Sequence, residues 1–176
     1  MGNSPLNAEL LKENTCFGCG HMNPRGLQIE VIRDSSGLKQ LLGKLHTTEE
    51  ISGFPGITHG GAIYTALDCL ATWVATILRP EQHVFWVLRS AEMIYHKPAK
   101  PGLTIQLLGK IIQEGKSHQS IIVLAEARDD GGELLAEGKF KEIPLTIEQF
   151  KQVSGLNTLP DNWKEFIERS SHEGNK

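Results

Sequence analysis

Gly60-Gly61-Ala62-Ile63-Tyr64-Thr65-Ala66-Leu67-Asp68-Cys69-Leu70-Ala71-Thr72-Trp73-Val74-Ala75-Thr76-Ile77-Leu78 reads as one helix. Ile63, Leu67, Leu70 and Val74 recur at the three-and-four spacing of a helix face. Arg79-Pro80 ends it, because proline pushes the residue before it out of the helical region. The run is apolar almost all round, so it needs cover on most sides. The flanking chain offers strands. Leu27 to Ile32 alternates, Asp34-Ser35-Ser36-Gly37 is turn chemistry, and Leu38 to Leu45 returns as the second arm of a hairpin. Downstream, strands are expected near 84–96, 103–114, 117–128 and 133–142, with Gly115-Lys116 and Asp129-Asp130-Gly131-Gly132 as turns. A hairpin, one buried helix and an antiparallel meander make an α+β fold: a curved antiparallel sheet wrapped around one long central helix.

The ends frame that unit. Ser4-Pro5 reads as an N-cap and first-turn proline opening a short helix over 5–13. Residues 15–26 and Ser52 to His59 are Gly/Pro loops. Residues 146–170 read as two short helices with Thr146 and Asp161 as N-caps, and Ser170 to Lys176 as a polar, frayed tail. The expected organisation is a helix and Cys/Gly-rich loop over 1–26, the main domain over 27–143, and a helical extension over 144–176.

Composition narrows the function. With 176 residues, the chain holds one domain with a real core. Eighteen Lys+Arg against 21 Asp+Glu, a net charge of -3, exclude a dedicated nucleic-acid surface. The apolar run from Ala62 to Leu78 carries Asp68 and falls short of the roughly 20 residues of a membrane span. Met1-Gly2-Asn3-Ser4-Pro5 lacks a basic segment followed by an apolar one, so a soluble, cytoplasmic protein is expected. Three cysteines (Cys16, Cys19 and Cys69) make no disulfide framework. Cys16-Phe17-Gly18-Cys19-Gly20, with His21 following, is either half of a zinc site, a redox pair or a tight loop of small residues; no second Cys-x-x-Cys follows.

Asp68 is the residue that does not fit a core. It is the only ionisable group between Ala62 and Leu78. Helical spacing sets Tyr64, Thr65 and Thr72 beside it, a narrow polar stripe opposite the apolar face. A carboxylate so placed takes a raised pKa and suits general-base or nucleophilic work; the bland reading is an Asp satisfied by Thr hydroxyls or by solvent. The helix start is the second feature. His59-Gly60-Gly61 presents helix N-terminal amides unobstructed by side chains, donors that can polarise a carbonyl oxygen. His59 itself reads more readily as a cap than as an acid–base group. Gly60 and Asp68 are eight residues apart, or about 12 Å along a helix. One carbonyl carbon cannot sit roughly 3 Å from both. Two copies facing across a two-fold axis can bring Gly60 of one to Asp68 of the other.

The chain resembles the hotdog-fold acyl-CoA thioesterases, particularly their phenylacetate-pathway (PaaI-like) branch, over about residues 15–143. Three matches carry this: Cys16-Phe17-Gly18-Cys19-Gly20 with Asn23-Pro24-Arg25-Gly26-Leu27, a subgroup opening; Gly53 to Gly61 with Asp68 nine residues after His59; and Tyr95-His96-Lys97-Pro98-Ala99. The resemblance implies hydrolysis of an acyl-CoA, with Asp68 as general base or nucleophile, the Gly60 amide on the carbonyl oxygen, and His59 shaping the site. It gives substrate-side roles to Gly61, Tyr64, Thr72 and Ser90. It implies homodimers or homotetramers; no cofactor or metal is expected, and composition argues against a nucleic-acid or membrane partner. Lys97 and Lys100 are candidates for the CoA phosphates.

Two departures stand out. Gly53 occupies a position where relatives often carry Asn, and Leu88 one where they carry Ser or Thr, with Ser90 on the same strand face as a substitute. Two rivals remain open: a hotdog dehydratase or hydratase, disfavoured by Gly53 at its catalytic-His position, and a non-catalytic acyl-CoA-binding module.

Overall fold

The computed structural model describes residues 4–80 and 84–173. The chain runs α1 (Leu6–Leu10), β1 (Glu30–Arg33), β2 (Leu41–His46), a 3-10 turn (Glu49–Ile51), β3 (Ser52–Phe54), β4 (Ile57–Thr58) and α2 (Gly60–Leu78). It continues through β5 (Val84–Tyr95), β6 (Thr104–Gln113), β7 (Ile121–Arg128), β8 (Leu134–Thr146), α3 (Ile147–Ser154) and α4 (Asp161–Glu173). Six strands form one antiparallel sheet in the order β1-β2-β6-β7-β8-β5, and α2 packs on its inner face. This is the hotdog arrangement.

Packing explains why α2 sits there. Ala66, Leu67, Leu70, Ala71, Val74 and Ala75 are fully enclosed against inward-facing Leu45, Ile105, Val123, Ala125 and Phe140. Each large apolar side chain so buried contributes about 1.5–3 kcal/mol. Small residues let the helix lie close: a Cβ on Gly109 of β6 would fall 2.7 Å from Val74 Cγ2. By length and composition α2 would also pass as a membrane span, but its apolar faces are spent on the sheet.

Several boundaries differ from expectation. The segment before α2 is a small β3–β4 hairpin rather than plain loop, turning at Pro55-Gly56. The first helix is shorter than 5–13, and its N-cap is Pro5, which offers no side-chain acceptor. Residues 114–120 form a longer connection than a two-residue turn, because β6 and β7 shift register after Ile111 and their pairing ends at Gln113↔Ile122. Thr146 caps α3 in a full capping box with Gln149, as its sequence spacing implies. Asp161 lies inside α4, where it pairs with Lys164, and the helix continues to Glu173 where a frayed tail was expected. The expectations for Met1 to Asn3 and for residues 174–176 fall outside the described residues.

β5 and β1 are the sheet's edges. β5 is 12 residues long and, among the described residues, pairs only with β8, leaving the other side of its ladder open. A long open edge is a ready template for pairing with another chain.

Candidate active site

The helix start is built by its cap. The imidazole Nδ1 of His59 accepts the Gly61 N–H at 2.8 Å. That satisfies one of the orphan donors of the first turn. It also commits Gly61, so its amide does not face a ligand as expected. The Gly60 N–H has no hydrogen-bond partner among the described residues. Tyr95, at the end of β5, lays its ring against Gly60 and donates its hydroxyl to the Gly60 carbonyl at 2.9 Å. These residues line a cavity of about 410 Å³ with Gly53, Phe54 and Lys97. Phe54 and Tyr95 are large, apolar and exposed there.

Asp68 lies elsewhere. It is half-buried and lines a second cavity of about 310 Å³, whose walls include Thr72, Trp73, Phe85, Trp86, Phe150 and Trp163. Burial raises its carboxyl to about 6, with a smaller push from Cys16. The stripe of Tyr64, Thr65, Asp68 and Thr72 stays half-buried while the other helix faces are enclosed, as the spacing predicts. Tyr64 stacks at a tilt on Phe140, ring centres 5.9 Å apart.

One residue of this region was not foreseen. Glu142 of β8 is completely enclosed. Its Oε2 accepts a long hydrogen bond from the Thr72 hydroxyl at 3.5 Å, and its Oε1 has no partner. Burial, then the neighbouring Asp68 charge, lifts its carboxyl to about 8, so it stays protonated at neutral pH. The signal was available: a count of two from Phe140 places Glu142 on the same inward face.

Ser90 corrects an expectation. Leu88 pairs with Glu142 and Ser90 with Lys141, because β5 bulges between them. The bulge turns Ser90 to the outer face with Lys141, away from α2. Leu88 stays on the inner face beside Glu142, so the polar group at that place comes from β8. Lys97 is exposed and engaged with Glu133, and Lys100 is exposed. Gly53, Leu88 and Ser90 therefore bring no side-chain donor to Asp68.

The two half-sites do not meet in one chain. Gly60 and Asp68 line different cavities, and the helix between them holds them about 12 Å apart. The sheet, the central helix and a carboxylate on its polar stripe define the class, a hotdog protein. Residues 55–136 match the family model described as the thioesterase superfamily.

Solved structures agree on the fold. The Escherichia coli PaaI protein of the phenylacetic acid degradation operon superposes with TM-score 0.58 at 17% identity, covering 68% of this chain and 80% of that one. A thioesterase from Haemophilus influenzae gives TM-score 0.63 at 14% identity, covering 73% and 86%. A Streptococcus mutans protein bound to acetyl CoA gives 0.58 at 16% identity, covering 72% and 98%. Among curated proteins, none matches this sequence.

Proposed function

We propose that this protein hydrolyses an acyl-CoA, or a related acyl thioester, to the free acid and a thiol. The observation that carries the reading is the placement of Asp68: a half-buried carboxylate on the one polar stripe of the central helix, opening into a largely aromatic cavity. The family match and the CoA-bound neighbours support acyl-thioester chemistry in general.

In this reading the site is shared by two protomers. The thioester carbonyl oxygen accepts the Gly60 N–H of one, and Asp68 of the other activates water or attacks the carbonyl carbon. Negative charge gathers on the oxygen, where the helix N-terminus and its amide stabilise it. The thiolate of CoA leaves and takes a proton. The acyl group enters the cavity walled by Phe85, Trp86 and Trp163, while the open edge of β5 joins its counterpart in a continuous sheet. His59 acts by capping α2 and orienting the Gly60 amide rather than by moving protons. A CoA thioester substrate fits a cytoplasmic setting.

The test is complementation. Asp68→Ala and Gly60→Pro are each made inactive, then refolded together. A shared site restores one working centre per heterodimer, about a quarter of wild-type activity in a random mixture. No recovery, or a fully active monomer in sedimentation, would overturn the shared site. Failure to release free CoA from any acyl-CoA would overturn the hydrolase reading.

A further inference from the structure

The Cys-x-x-Cys loop takes no part in the reaction above, yet the fold completes it. The chain has three cysteines, and all three converge. Their Sγ atoms lie within 4.8 Å of one another, with Cys16 and Cys69 at 3.8 Å. Cys16 and Cys19 come from the loop between α1 and β1, and Cys69 from the middle of α2. A tetrahedral zinc with arms of about 2.3 Å to sulfur sets its ligands about 3.8 Å apart.

N–H donors point at the buried sulfur. The Cys19 sulfur, enclosed in the core, receives N–H donors from Asn14 at 3.4 Å and from the Trp73 indole at 3.3 Å. N–H groups aimed at sulfur are the outer contacts that hold ligating thiolates in place. The loop's approach to the helix is tight: a Cβ on Gly18 would fall 2.3 Å from Cys69 Sγ. His21 is held away, its Nε2 on the Lys12 carbonyl at 2.7 Å.

We propose that Cys16, Cys19 and Cys69 bind one zinc ion as three thiolates, clamping the 14–27 loop onto α2. The fourth position faces the cavity that Asp68 and Thr72 also line. Each ligating thiol releases its proton to solvent. A Cys16–Cys69 disulfide is the competing chemistry. It would require the sulfurs to close to about 2.05 Å, and would leave Cys19 and its two donors without a role.

The full-length protein is reduced, stripped with a chelator and titrated with Co²⁺. We expect one equivalent to bind with an intense thiolate-to-cobalt charge-transfer band, and Zn²⁺ to displace it. No cysteine lies outside the cluster, so the band reports this site alone. Cys16 is exposed, so Cys16→Ser should fold normally by circular dichroism while binding cobalt about a hundredfold more weakly. Zinc should raise the Tm of the wild type by about 5 °C and leave that of Cys16→Ser unmoved. Uptake below about a tenth of an equivalent, equal binding by the variant, or a Cys16–Cys69 disulfide in a protein that takes no metal after reduction would each overturn the proposal. The cobalt band reads the sulfurs whether or not turnover is seen, so this site and the hydrolase reading fail separately.

Discussion

The two cavities along α2 are unlike in kind. The one at the helix start is open and backbone-driven: a capped first turn leaves one amide facing outwards, held by Tyr95 from β5. The one at mid-helix is apolar and side-chain-driven: one acid in a wall of aromatic rings, with a second, enclosed acid behind it. The first supplies a positive dipole and the second a negative base. Acyl transfer needs both within reach of one carbon. A single straight helix keeps them apart, so the proposed chemistry calls for a second copy of the chain.

The strongest way to break this contrast is at the acid. Asp68→Ala should lower kcat/KM by about a thousandfold with the fold intact, checked by CoA release and circular dichroism; unchanged turnover removes the mid-helix cavity from the chemistry. The helix start is probed by a pair. Gly60→Ala and Gly60→Pro both add a Cβ near 3.3 Å from the Tyr95 ring, but only proline removes the N–H. Proline suits a first helical position, and His59 at φ -60, ψ 128 already adopts the backbone preferred before it. Proline should therefore cost about a hundredfold more in kcat than alanine; equal losses would mean that bulk, not the donor, matters.

The enclosed acid sharpens the contrast through stability. The Glu142 carboxyl is lifted from 4.5 to about 8 in the folded protein. The folded state thus holds the proton more tightly than the unfolded chain, and stability falls as pH rises from about 5 to 8. Glu142→Gln should flatten that slope, worth on the order of a few kcal/mol at pH 8, as read by urea unfolding across the range. An unchanged slope would show that Glu142 is not the group responsible. The smallest effect is expected at Ser90→Ala, within about twofold of wild type, since the bulge directs that residue away from α2. A large loss there would reinstate it in the site.

Much of this was legible in the chain. The bounds of α2 coincide with Gly60 and Leu78, because a long apolar period ended by Arg79-Pro80 leaves little choice. The meander was legible for a similar reason: alternation with Gly-rich turns is a local signal. The half-exposed stripe around Asp68 followed from helical spacing alone. What escaped was non-local. The bulge that turns Ser90 depends on the register of β5 against β8, and the β3–β4 hairpin on pairing across two residues. The distance from Cys69 to Cys16 is set by packing, as is the aromatic wall, which needs α3 and α4 folded back against β5. His59 was readable as a cap, but not the consequence that Gly61 would be consumed and Gly60 left over.

That aromatic wall has a further consequence. Phe150 stacks on Phe85 at 4.1 Å, and Trp163 leans on the same ring from α4. Both helices lie beyond residues 55–136, the stretch that carries the thioesterase pattern. On the proposed reading, selectivity for the acyl tail would rest on this C-terminal appendage. Its length and ring content could then change without disturbing α2, so exchanging the C-terminal lining would retune the pocket while leaving the proposed chemistry in place.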